Sequence, residues 1–294
     1  MDTNTTERPT EMAAYPSATR RVMLRTGAAA IGLGATAFTG FRVRAQDDGT
    51  VVATPEANCV LTPELTEGPY YLDGSLLRKD VTEGVPGIPL KLRILVNDPT
   101  ACAPVADAAV AIWHCDAQGF YSGVDANRPG GDTTAEEVAA AAEARWLRGI
   151  QVTDKEGIVE FDTIYPGWYA GRTVHIHLKV TVDGSEGETY EGGTVAHTGQ
   201  LFFDEAVSND VYETAEYVRS SEDGRVLNAE DNILADHEDE PGFLVEISQV
   251  SDGAMEDGLI GLVSIGIDPS ATPSEAGGGQ GGPGGGPGGP PPQG

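Results

Sequence analysis

From Ile88 to Val96 the chain reads IPLKLRILV, apolar and polar side chains taking turns, and this spacing predicts a strand with one buried face. Ala108–Cys115, AAVAIWHC, is apolar almost throughout and reads as a strand covered on both sides. Gly149–Thr153 and Ile158–Phe161 are short apolar runs joined by a turn at Asp154–Gly157. Val174–Val180, VHIHLKV, is rich in β-branched residues. Gly199–Phe203, Phe243–Ile247 and Leu259–Ile267 complete the set of strands, while Gly184–Gly193 reads as an acidic, glycine-rich loop. Helical spacing is confined to Thr134–Arg145, where Thr133 or Thr134 serves as cap and acids fill the first turn. Asn209–Leu227 reads as irregular with a short helical turn. Many short strands divided by turn signals predict an all-β fold, a β-sandwich of mostly antiparallel strands with long loops and one short helix.

The pattern fails at both ends. Thr19-Arg20-Arg21-Val22-Met23-Leu24-Arg25 precedes a small-residue apolar stretch, Gly27–Gly40, that is too short to span a membrane, and Val43-Arg44-Ala45 offers a cleavage site. Residues 1–45 thus read as a twin-arginine export signal. The mature chain is expected to start near Gln46 and to be exported without stable membrane insertion. Residues 46–58 read as a linker and 59–267 as the globular domain. From Asp268 glycine and proline dominate, a composition that buries no core, so 268–294 reads as a disordered tail. Cys59–Asp73, CVLTPELTEGPYYLD, reads as an extended arm laid across the body.

Charge narrows the partners. With 46 acidic against 18 basic side chains and a net charge of −28, the surface repels nucleic acid and anionic membrane. Three cysteines in an exported chain allow three single bridges; their placement favours Cys59–Cys102, leaving Cys115 in a strand beside Trp113.

Candidate chemistry gathers in Tyr165–Val180, YPGWYAGRTVHIHLKV. On a strand, residues two apart share a face, so His175 and His177 project together and form half of a metal site. Tyr169 and Arg172 lie just upstream, after the Pro166–Gly167 turn. Phenolate and imidazole together suit iron, a hard ferric ion preferring anionic oxygen.

Trp113 and Tyr121, then Pro166-Gly167-Trp168-Tyr169, Arg172, His175-x-His177 and Thr198-Gly199-Gln200 resemble the signature of the intradiol ring-cleavage dioxygenases, and Thr66-Glu67-Gly68-Pro69-Tyr70 resembles an arm segment of the same family. The resemblance runs from about Cys59 to Asp204. It implies a prealbumin-like sandwich and a non-haem Fe(III) cofactor held by Tyr121, Tyr169, His175 and His177, with Tyr169 the ligand that leaves when substrate arrives. It also implies catalytic roles for Arg172 and Gln200 beside Tyr169, and a pocket lined by Trp113, Gly68, Pro69 and Tyr70. The expected reaction takes a catechol and O2 to a cis,cis-muconate. Two departures stand out: Thr173 where the family often has proline, and Phe120-Tyr121-Ser122-Gly123, closer to the catechol branch than to the protocatechuate branch. Which catechol is cleaved and the oligomeric state are left open. A rival reading is a non-catalytic prealbumin-like module, and a second is a zinc hydrolase, although zinc favours His, Cys and carboxylate over two phenolates.

Overall fold

The computed structural model describes residues 41–45, 51–125, 134–217, 225–237, 240–250 and 254–271. The twin-arginine segment, the alternative cap Thr133 and residues 272–294 of the expected tail lie outside the described residues.

Two open sheets face each other. The first holds β3 (Pro89–Asp98) at its centre, flanked by β7 (Ile158–Ile164) on one side and β11 (Leu259–Gly266) on the other, with β10 (Glu246–Gln249) outside β11 and the two-residue β4 (Ala103–Pro104) on the end of β3. The second runs β6 (Arg148–Val152), β5 (Ala109–Trp113), β8 (His175–Glu186), β9 (Tyr190–Phe202). Neighbours in both sheets are antiparallel except β3 and β11, which run parallel. Leu92, Ile94, Phe161, Val263 and Ile265 from the first sheet and Val110, Ile112, Ile176, Leu178 and Val180 from the second form one buried cluster. The expected β-sandwich is therefore what the chain builds, its core made by alternate residues of facing strands.

Several local expectations change. Two α-helices are described, not one: α1 (Ala135–Glu143), with a Thr134 capping box closed by Glu137, and α2 (Glu205–Tyr212), capped by the Asp204 side chain on Ala206 N–H. The second falls where the sequence read as a strand end and irregular chain. Gly184–Gly193 is not a loop: β8 and β9 run on through it as a long hairpin, paired out to Glu186 and Tyr190. One irregularity interrupts that ladder, a register shift between Val180 and Thr181. Within the stretch read as linker, β2 (Val51–Pro55) pairs antiparallel with β1 (Phe41–Ala45). Phe243–Val245 does not enter β10 but meets the end of β9, where Phe202 N–H donates to Phe243 O and Val245 N–H to Phe202 O.

Cys59 and Cys102 are joined in a disulfide with their Cα atoms 4.9 Å apart, and Cys115 is free and buried. The bridge pins the start of the arm to the turn that follows β3.

Candidate metal centre

The site is built on one rung of the second sheet. Register sets Arg148 opposite Trp113, Trp113 opposite His177 and His177 opposite Gln200. Directly opposed residues share a sheet face, so these four side chains form a row across four strands. Ile176, Leu178 and Val180 point the other way, into the core. The row thus lies on the face of the sheet turned from the core, and other chain segments must roof it.

Three segments do so. The arm is tied down by Leu65 N–H on Thr198 O at 3.0 Å and by Gln200 Nε2 on Thr66 O at 2.8 Å. Glu67 pairs with Lys179, whose ammonium sits 3.4 Å from the Tyr71 ring centroid. Gly68 has a φ of +74°, and a Cβ there would lie 2.9 Å from His177 Cε1, so the arm backbone presses on the imidazole where only glycine fits. The second segment, Asp116–Ser122, turns on the Asp116 carboxylate, which accepts from Gln118 and Phe120 N–H, and delivers Tyr121. Arg148 reaches inward: its Nε and Nη2 donate to Ser122 O at 3.0 and 2.7 Å, fixing the residue next to Tyr121. The third, Tyr165–Gly171, delivers Tyr169. Tyr217 Oη donates to Tyr165 O, and Gly167 packs so closely that a Cβ would meet Asp116 O at 2.4 Å.

Tyr121, Tyr169, His175 and His177 converge. His175 Nε2 is 3.1 Å from His177 Nε2, 3.2 Å from Tyr169 Oη and 3.4 Å from Tyr121 Oη. His175 Nδ1 donates to Thr173 O at 2.7 Å, which leaves Nε2 bare and aimed at the cluster. His177 stacks on Trp113, centroids 5.0 Å apart and planes 3° from parallel, and Tyr70 stacks on Tyr121 at 4.4 Å. Among the described residues no group of three or more His, Cys, Asp or Glu gathers elsewhere as a metal site; here the oxygen donors are phenols.

Electrostatics match a dry site. Burial pushes the Tyr121 phenol well above its ordinary range, Tyr169 and Cys115 adding to the effect while Arg172 and Arg148 oppose it. Tyr169 is raised by burial too, with Arg172 working against. Burial pulls both imidazoles down, and the nearby Arg172 charge acts in the same direction, so both rings are neutral.

Arg172 lies beside the cluster. Its Nη2 donates to Gln200 Oε1 at 2.6 Å, and its Nε donates to Asp231 Oδ2 at 2.8 Å. Asp231 belongs to none of the motifs read from the sequence. Burial works to raise that carboxyl, but the Arg172 hydrogen bond and charge, with backbone donors from Thr173 and Ile233, outweigh it and hold it below the usual carboxylate range. Of the residues anticipated for the site, Trp113, His177 and Gln200 lie on the rung, Gly68, Pro69, Tyr70, Tyr121 and Tyr169 lie in the three segments that roof it, and Arg172 and His175 lie where the third segment runs into β8.

Known proteins share both sequence and fold with this chain. A family profile described as "Dioxygenase" matches residues 66–189. A solved intradiol ring-cleavage dioxygenase from Tetranychus urticae is 32% identical, covers 73% of this chain and 98% of its own, and superposes with a TM-score of 0.59. The chain belongs to the intradiol ring-cleavage dioxygenase family. Catechol 1,2-dioxygenase 1 of Acinetobacter lwoffii is 28% identical over 145 residues, 42% of each chain. Chlorocatechol 1,2-dioxygenase of Pseudomonas putida is 29% identical over 156 residues, 43% of this chain and 53% of that one. The chain spans about half the length of these two curated relatives.

Proposed function

We propose that the protein cleaves a catechol between its two hydroxyl-bearing carbons with O2, giving a cis,cis-muconate-type dicarboxylate, and that Tyr121, Tyr169, His175 and His177 hold one ferric ion for this purpose. The observation that carries the reading is the meeting of four buried donors, with Tyr121 Oη, Tyr169 Oη and His177 Nε2 all within 3.4 Å of a bare His175 Nε2. Three groups crowd round the one lone pair of His175 Nε2, more than a single acceptor can satisfy and more than a packed core calls for. The donor set fits a hard trivalent cation, which supplies the charge that turns raised-pKa phenols into phenolates. A ferric ion held by these four residues would supply Lewis acidity to a bound catechol diolate.

The chain's own groups do the rest. Tyr169 is the less buried of the two phenols, and as a phenolate its Oη would take a proton from a substrate hydroxyl. Tyr121, held under the Tyr70 ring and beside Arg148, stays in place. Trp113 stacks on His177 and fixes the plane of that ring. Arg172 brings a positive charge to where negative charge builds on the substrate, and Gln200 holds its Nη2. The arm keeps water out.

The test is oxygen uptake against a panel of catechols, with ¹⁸O2 labelling of the product. A labelled cis,cis-muconate and a red-brown tyrosinate band support the reading. A yellow semialdehyde means extradiol cleavage, and iron-loaded protein that consumes no oxygen with any catechol overturns the enzymatic reading. A colourless, zinc-loaded protein favours the hydrolase. Export by the twin-arginine route belongs to the same proposal, because the Cys59–Cys102 bridge suits an oxidising compartment. N-terminal sequencing of secreted protein should begin near Gln46, so that maturation removes β1 and leaves β2 held to the body by Arg93 on Ala53 O.

A further inference from the structure

Asp231 is fully buried and lies well beyond the stretch matched by the family profile. It follows the single turn of 3₁₀ helix at Asn228–Glu230. Its carboxylate receives five hydrogen bonds. Oδ2 takes Arg172 Nε and Thr173 N–H, both at 2.8 Å; Oδ1 takes Arg172 Nη2 at 3.3 Å and the N–H groups of Ile233 and Leu234 at 2.9 and 3.0 Å. The turn itself is fastened to the body by Asn228 Nδ2 on Phe203 O and Asn228 N–H on Glu205 Oε1.

Thr173 explains why the turn and the site are coupled in this chain. Its N–H reaches Asp231, and its hydroxyl donates to Asn228 Oδ1 at 2.7 Å. Proline, the residue the family often carries there, offers neither group. The residue that opens the histidine strand is thus locked to the same turn that grips Arg172. Two residues later, His175 Nδ1 is set by Thr173 O.

We infer that Asp231 is a positioning residue for ring cleavage, which fixes the guanidinium of Arg172 in register with the metal-binding strand. The inference rests on the reading of the site given above. Asp231 takes Nε and shares Nη2 with Gln200, so two sides of the planar fork are fixed and Nη1 is left as the edge free of hydrogen bonds among the described residues. Gln200 in turn donates to Thr66 O, so the chain of contacts continues to the arm that roofs the site. A guanidinium held on two sides presents its remaining edge without the entropy of an unrestrained side chain.

The test is a double-mutant cycle in the iron-loaded full chain, with Asp231→Asn and Arg172→Gln read by kcat and KM on a cleaved catechol. Asparagine keeps an acceptor for Ile233 and Leu234 but turns an N–H toward Arg172 Nε and Thr173 N–H. With iron content and the visible band unchanged, D231N should lower kcat about 10–100-fold at little-changed KM, as loss of a supporting residue around a metal site does. In the R172Q background the same change should cost less than about 3-fold, because the residue it acts through is gone. An equal factor in both backgrounds overturns the inference, since a purely structural role adds to the loss of Arg172. If D231N does not fold, Arg172→Lys decides: lysine keeps the charge but cannot reach Asp231 and Gln200 in one plane. A rate as low as that of R172Q supports positioning, and a rate near wild type overturns it. A wild-type chain that cleaves no catechol defeats the underlying reading together with this one; an active wild type with an additive cycle defeats this one alone.

Discussion

Replacing Gly68 by alanine tests how firmly the arm is pressed onto the cluster. The backbone there has a φ of +74°, a left-handed conformation that costs an L-residue about 1–2 kcal/mol. The added Cβ would also lie 2.9 Å from His177 Cε1. The ring cannot retreat, because its other neighbour is Trp113, stacked 3° from parallel. The arm must lift or the ring must tilt, and overpacking of this kind costs roughly another 1–3 kcal/mol. Gly74, just past the end of the arm and with φ +77°, is the control, since a Cβ there meets nothing within 4 Å. Gly74→Ala therefore carries the backbone cost alone. At roughly 2–4 °C per kcal/mol for a domain of this size, G68A should melt about 2–12 °C below G74A. It should also lose iron and ring-cleavage activity, which G74A should keep. Differential scanning calorimetry with metal analysis reads both. Equal melting temperatures with equal iron content would refute the idea that the arm backbone bears on His177.

Other outcomes follow from the same contacts. Opening the Cys59–Cys102 bridge by Cys59→Ser with Cys102→Ser frees a loop of sequence separation 43, and should lower stability by about 4 kcal/mol on chain-entropy grounds, read by urea denaturation; a midpoint within error of wild type would contradict it. On the proposed reading, Tyr121→Phe and His177→Ala should bleach the visible band. Tyr169→Phe should keep iron on three ligands yet lose turnover, and full activity in that variant would remove Tyr169 from proton transfer. His197 is buried, its Nε2 has no hydrogen-bond partner among the described residues, and burial pulls its pKa down to about 4. Above pH 6.5 folded and unfolded chains both hold it neutral. As pH falls from there toward 4, the unfolded chain takes a proton that the folded one refuses, so stability declines by up to about 1.4 kcal/mol per pH unit. His197→Gln should flatten the wild-type slope by that amount in urea titrations between pH 6 and 4, and unchanged slopes would rule the histidine out.

Much of the architecture was legible because alternation is a direct imprint of burial. Leu90, Leu92, Ile94 and Val96 sit in the core as their spacing requires, and His175 and His177 share a face because any strand would make them do so. Composition misled at Gly184–Gly193: glycine and acid residues read as loop, yet antiparallel pairing carries both strands through the segment. The first turn of α2 was readable in principle, since Asp204 stands in capping position before Glu205. Asp231 was not. It is one of 46 acidic residues, in an acidic neighbourhood, and nothing in the local sequence says that this carboxylate is buried against an arginine 59 positions away. Such pairing exists only once the strands have brought remote turns together.

The register shift between Val180 and Thr181 divides the β8–β9 hairpin into two parts. On the near side, each pair is fixed by the row that carries His177 and Gln200, and a slip of one residue would turn both histidines into the core. Beyond the shift the ladder runs out to Glu186 and Tyr190, and Gly187 and Glu188 lie exposed at the tip. The tip is tied down as well: Glu188 O accepts from Leu77 N–H at 3.1 Å, and Gly187 N–H donates to Thr189 O at 2.8 Å. The hairpin is therefore a brace that joins the metal-binding rung at one end to the chain beyond the arm at the other. An insertion at residues 187–189 lengthens a surface loop cheaply but gives up the bond to Leu77, which costs about 1 kcal/mol.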